Sequence, residues 1–170
     1  EQTLKRFNVS SLEEFSTTSK IGNPYTTKSS FDKFIFAYES DNWVKLYKPL
    51  DEKKYKFQYL GTKEQGFIFG WKQLPDNGEL LIITGGEKDV MTLAAKGFNV
   101  ITLNSETATL PKSVVDELKL RFKTILVLYD NDETGLKQSN ILAVAHGLHR
   151  LVLPTLQNNG KDISDYFANG

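Results

Sequence analysis

The stretch TILVLYDNDETG, residues 124–135, constrains this chain more than any other. Residues 125–129 are apolar or aromatic without a break, and Asp130, Asp132 and Gly135 follow. A short unbroken apolar run reads as a strand buried on both faces, the habit of parallel sheets in α/β domains. At the carboxyl end of such a strand the chain leaves the core, and open α/β sheets bind ligands there. Two acids at i and i+2 can turn towards one point if the extended chain bends between them. Carboxylate oxygens completed by water and phosphate are what Mg²⁺ prefers. The run therefore points to a metal site at a strand tip. The same acids also suit the N-cap of a helix from Glu133 onward, and the pattern alone leaves both readings open.

The surroundings extend the α/β grammar. Residues 80–84 (LLIIT), 98–103 (FNVITL) and 149–154 (HRLVLP) read as further strands. Between them, residues 87–97, 111–122 and 133–148 read as helices, the first closed by Gly97 and the second opened by Pro111. Residues 161–167 (KDISDYF) suit a last short helix or turn. Strands alternating with helices of these lengths build βαβ units and a Rossmann-like parallel sheet flanked by helices.

Upstream the period changes to two. FDKFIFAYES, NWVKLYKPL, KYKFQYLG and FIFGW are aromatic or β-branched runs separated by turn residues, a meander of antiparallel strands. The alternation puts Val44, Leu46, Tyr55, Phe57 and Tyr59 on shared faces, with Lys45, Lys54, Lys56 and Gln58 projecting the other way. Such a surface suits phosphates or stacked single-stranded bases, and equally an aromatic core with solvated lysines. SSLEEF reads as a short capped helix and TTSKIGNPYTTKSS as a polar loop. The turn residues of QLPDNGE (73–79) mark the junction between a small mixed α+β subdomain, 1–78, and the α/β domain, 79–170.

Composition narrows the chemistry. Cysteine is absent, which excludes disulfides and thiolate metal sites and is compatible with a reducing cytoplasm. Two histidines make no multi-histidine zinc site. No apolar run approaches a transmembrane length, and the first residues carry no signal-peptide core, so no membrane partner is expected. The chain opens without methionine and stops just after a structured-looking segment, as a piece of a longer protein would. Net charge is zero, yet residues 45–72 hold seven lysines against three acids, while residues 79–170 hold nine Lys/Arg against eleven acids. A basic half and an acidic half suit polyanions held beside a metal.

In a parallel sheet the turns after the first, third and fourth strands gather on one edge. That gathers Glu87, Asp89, Asp130, Asp132 and Asp162, with Lys88 and Lys161 beside them. Gly85 and Gly86 let backbone approach a ligand closely. Crowded acids of this kind call for a divalent cation.

Strand–GGEKD, strand–DNDETG and strand–GKDISDY resemble the successive motifs of the Toprim domain, shared by primases, topoisomerases and some nucleases. The likeness covers about residues 79–170 and is greatest to the primase half of phage-type primase-helicases and to bacterial primases. KYKFQYLG and FIFGW resemble the lysine-bearing subdomain that precedes Toprim there. The resemblance implies that Asp130 and Asp132 hold Mg²⁺ (or Mn²⁺), with Asp162 on the same metal cluster. It implies that Lys45, Lys54, Lys56 and Lys88 meet nucleotide phosphates or template, and that Gly85, Gly86 and Gly135 are turn glycines. The implied function is a DNA primase core in the cytoplasm that makes short RNA primers from NTPs on single-stranded DNA, with zinc-binding and helicase modules elsewhere. One departure stands out. The family pattern after the first strand is Glu-Gly-x-x-Asp, with the glutamate as acid/base residue, whereas this chain has Gly85 there and Glu87 two residues on. Glu87 is then the candidate catalytic residue. The alternatives are a degenerate, non-catalytic Toprim module that binds nucleic acid, and a Toprim nuclease.

Overall fold

A computed structural model describes residues 1–19, 21–105, 107–155 and 160–169. The chain divides into two compact units, Glu1–Gln65 and Gly66–Gly170. The division falls upstream of the turn-rich stretch 73–79, because the residues just after Gln65 already pair into the second sheet.

The first unit opens with a short helix, α1 (Gln2–Arg6). Strands β1 (Val9–Ser11), β4 (Phe36–Glu39), β5 (Trp43–Tyr47) and β6 (Phe57–Gly61) form an antiparallel sheet in that order, and β2 (Glu14–Thr18) pairs with β3 (Pro24–Lys28). The expected helix over SSLEEF is therefore absent. Its residues enter β1 and β2, where Val9 and Phe15 are buried, and strand pairing overrides the capping signal. The expected loop at TTSKIGNPYTTKSS is mostly hairpin, with Thr17 opposite Tyr25 and Pro24 at a strand start, where its missing N–H costs least.

One face of the four-stranded sheet packs Ala37 and Leu46 with Phe15 and Ile35, against Leu12, Val44 and Leu60. The expected assignment of faces is corrected by the register. Leu46 lies opposite Gln58, while Lys45 lies opposite Tyr59 and Tyr47 opposite Phe57. A shift of one residue moves every side chain across a sheet. Phe57 and Tyr59 consequently share a face with Lys45, and Tyr55 sits in a 3₁₀ turn outside the strands.

In the second unit, β7 (Ile68–Phe69), β8 (Gly78–Thr84), β9 (Asn99–Leu103), β10 (Phe122–Leu128) and β11 (His149–Arg150) form one sheet in the order β11-β10-β8-β9-β7. All pairs are parallel except β7 with β9. FIFGW thus supplies an antiparallel edge to this sheet rather than a strand of the upstream meander. Helices α2 (Glu87–Ala95), α3 (Lys112–Arg121) and α4 (Glu133–His146) connect the parallel strands, and α5 (Ile163–Asn169) follows. The last strand is shorter than HRLVLP suggests, as befits an edge, although the Leu151 N–H still reaches the Val127 carbonyl.

The chain steps from β8 to β9, then back past β8 to β10. Right-handed crossovers in opposite directions put α2 and α3 on opposite faces. The larger core joins Leu81, Ile83, Ile101, Ile125 and Val127 to Val115 and Leu118 of α3 and Leu142 of α4. Alternation sends Ile82 and Val100 to the other face. There α2 buries Val90 and Leu93 and packs on β9 and α5. Among the described residues no helix is long and apolar enough to cross a membrane.

Candidate metal centre

The carboxyl ends of β8 and β10 are adjacent, since Thr84 pairs with Leu128. Thr84 and Thr102 are buried there, and the Thr102 hydroxyl donates to the Thr84 carbonyl at 2.8 Å. The Thr84 hydroxyl likewise donates to the Gly86 carbonyl at 3.3 Å, so both hydroxyls find backbone partners at the strand ends.

Gly86 caps α2 in an extended conformation, φ −152° and ψ 160°, so the expected tight glycine turn is not required by backbone geometry. A Cβ at Gly86 would meet Asp89 Oδ2 at 3.6 Å, an ordinary contact. Gly135 is different. It lies in the first turn of α4, where a Cβ would run into the Asp130 backbone. Only glycine lets the helix start close against the strand tip, which accounts physically for the glycine of DNDETG.

Asp89, Asp130 and Asp162 each present a carboxylate oxygen within 4.8 Å of the others. Asp89 comes from the first turn of α2, Asp130 follows β10, and Asp162 precedes α5. The Asn131 N–H donates to the Lys161 carbonyl, tying the last turn to the strand tip. Asp89 is buried and accepts a hydrogen bond from the Ser164 hydroxyl at 2.7 Å. Burial pushes its carboxyl up to about 7; Ser164 opposes this, and the charges of Asp162 and Asp130 add to it. Burial also raises Asp130, against the pull of Lys161.

Two lysines balance the acids. Lys161 Nζ lies 2.9 Å from Asp130 Oδ2 and 2.8 Å from Asp132 Oδ2. Lys88 Nζ lies 2.8 Å from Asp162 Oδ2 and 3.9 Å from Asp165 Oδ1. Both ammonium groups are held in the charged form: Lys161 by its bonds to Asp132 and Asp130, and Lys88, against its partial burial, by Asp162 together with Asp89 and Asp165. Asp132 caps α4, accepting the Gly135 N–H at 2.9 Å, and this bond with that of Lys161 keeps its carboxyl below the usual range.

The structure thus brings Asp130 and Asp162 together with Asp89. Asp132 turns to the helix cap, and Glu87, the first residue of α2, also stands outside the converging three. Sequence reading placed Asp89 in the cluster without making it a ligand; the aspartate of the first motif was the available signal. Ser164 was missed, although its place two residues after Asp162 puts it in the first turn of α5, within reach of α2. In the first unit, Lys45 is buried with its Nζ 4.4 Å from the Phe57 ring centre. Lys54 pairs with Glu52 at 3.5 Å and lies over Tyr55, and Lys56 directly precedes β6.

The fold has solved counterparts. The primase fragment of the bacteriophage T7 primase-helicase matches 99% of this chain and 66% of its own length, at 18% identity and a TM-score of 0.65. The DnaG primase catalytic domain bound to single-stranded DNA matches 99% of this chain and 57% of its own, at 16% identity and a TM-score of 0.60. An Aquifex aeolicus primase, with zinc-binding and RNA polymerase domains, matches 91% and 40%, at 17% identity and 0.54. The chain therefore spans at most about two thirds of these relatives. No curated protein matches by sequence. A Toprim-like family model matches residues 82–167, half of the chain and all three acidic turns, and on that match the chain belongs to the Toprim-like family.

Proposed function

We propose that this chain is the polymerising core of a DNA primase, joining NTPs into short RNA primers on a single-stranded DNA template with Mg²⁺ or Mn²⁺. The observation that carries the reading is the convergence of Asp89, Asp130 and Asp162 at the carboxyl edge of a Toprim-like domain. Three hard oxygen donors of this kind fit such an ion. Asp89 in particular is buried beside two other acids, where a bare negative charge is costly and a divalent cation relieves it. Asp89, Asp130 and Asp162 hold the metal, with Asp132 alongside. A bound cation would neutralise charge on the oxygens of a transferring nucleotidyl group.

The chain's own residues supply the rest. Glu87, at the start of α2, serves as the acid/base group. Lys88, freed from Asp162, and Lys45, Lys54 and Lys56 meet nucleotide phosphates or template. The names of the phage and Aquifex relatives, a primase-helicase and a primase with a zinc-binding domain, support helicase and zinc-binding modules beyond this chain. The proposed setting is a cytoplasmic replication protein. In the test, Asp130→Ala and Asp132→Ala are assayed for metal-dependent primer synthesis from labelled NTPs in the full-length protein. Loss of product is expected, and undiminished product in both variants refutes the reading.

Gly85 motivates a second reading, a non-catalytic Toprim module that binds nucleic acid. Gly85→Glu separates the two. A large gain in primer yield identifies a degenerate site, whereas a loss identifies Glu87 as the working residue.

A further inference from the structure

Lys161 occupies a position that its charge makes consequential. Its Nζ bridges Asp130 and Asp132 at 2.9 and 2.8 Å, so it lies against a ligand of the metal centre. Its backbone is fixed on both sides: the carbonyl accepts from Asn131, and the N–H donates to Asp165 Oδ2 at 2.9 Å. Its side chain is about half exposed, with 52% of its surface open. The main chain is thus anchored while the ammonium has room to leave. A divalent cation bound by Asp130 and an ammonium bonded to the same carboxylate repel at close range.

We propose that Lys161 is the built-in counter-ion of this centre, holding Asp130 and Asp132 in the metal-free protein and expelled to solvent when a divalent cation binds. The inference rests on the metal reading above and adds an exchange to it. Lys88 pairs with a different acid of the three, Asp162, and with Asp165, so the contact to Asp130 and Asp132 belongs to Lys161. Once expelled, the Lys161 ammonium stands at the rim of the site, where a polyphosphate can take it up in place of the carboxylates.

The test uses Mn²⁺ alone as probe, followed by electron paramagnetic resonance, together with acetylation of lysines quantified by mass spectrometry. Lys161→Met is expected to bind Mn²⁺ about tenfold more tightly than the wild type, from loss of the competing charge. Lys161→Arg keeps the charge and is expected to bind as the wild type does. In the wild type, saturation with Mn²⁺ is expected to raise acetylation of Lys161 several-fold, with the exposed Lys137 as an unchanged reference. Equal Mn²⁺ affinity in wild type and Lys161→Met, or Lys161 acetylation unmoved by saturating Mn²⁺, overturns the exchange while leaving the metal site standing. Tight binding by Lys161→Arg equal to that of Lys161→Met also overturns it. Absence of Mn²⁺ binding in all three proteins overturns the exchange and the metal reading together.

Discussion

Replacing Asp89 by Asn isolates the electrostatic cost of the site. Asp89 is 5% exposed, and burial with two neighbouring acids raises its carboxyl from 3.8 to about 7. The folded protein therefore holds a proton that the unfolded chain has released between about pH 4 and pH 7. Where the folded state binds more protons, stability falls as pH rises. A shift of about three units at 1.36 kcal/mol per unit sets the loss at roughly 4 kcal/mol by neutral pH, as a ceiling. Asn is isosteric, stays neutral, and its Oδ1 can still accept from Ser164. The wild type and Asp89→Asn are compared by urea unfolding in EDTA from pH 4.5 to pH 8, where Asp89 is the group that differs. The two are expected to be similar in stability at the acid end, with the variant gaining up to about 4 kcal/mol over the wild type by neutral pH. Adding Mg²⁺ at neutral pH should narrow the gap, since the ion stabilises only the wild-type set of carboxylates. A difference between the two proteins that stays constant across this range refutes the assignment of a costly buried charge to Asp89.

Two more outcomes follow from contacts already described. Gly135→Ala drives a methyl group into the Asp130 backbone, so it is expected to cost about 1–3 kcal/mol in urea unfolding and to weaken Mn²⁺ binding by displacing Asp130. Phe57 and Tyr59 stand 49% and 39% exposed on the face that carries Lys45. If bases stack there, Phe57→Ala or Tyr59→Ala lowers affinity for a labelled single-stranded oligonucleotide by about tenfold, at about 1–3 kcal/mol per stacked base, with the salt dependence unchanged. Unaltered anisotropy titrations in both variants refute that use of the face.

What the sequence disclosed, and what it withheld, divides along the range of the interactions involved. The β8–α2–β9 and β10–α4 units were legible because each is set by its own apolar run and local turn signals. Gly97 ends α2 with φ +91°, as its sequence position implied. The first unit was harder because its short strands take their faces from register. Whether Tyr59 sits with Lys45 or with Leu46 depends on a partner strand across a loop, and no period within KYKFQYLG encodes it. The same limit operated in the site. The strand-tip pattern DND offered two alternating acids with equal claims on a metal, and a helix cap as the competing use of either. The structure separates them by a local bond, the Gly135 N–H to Asp132 Oδ1, which turns Asp132 towards α4 and leaves Asp130 facing the centre. The vacancy beside Asp130 is filled from across the sheet by Asp89, whose orientation depends on Ser164 in α5. Chemistry that requires three acids from three turns can be anticipated as a gathering, since parallel strands share an edge. Which acids turn inward is decided by the local cap that Asp132 makes on α4 and by the bond from Ser164 in α5 to Asp89 in α2, and the second comes into being only when those helices pack.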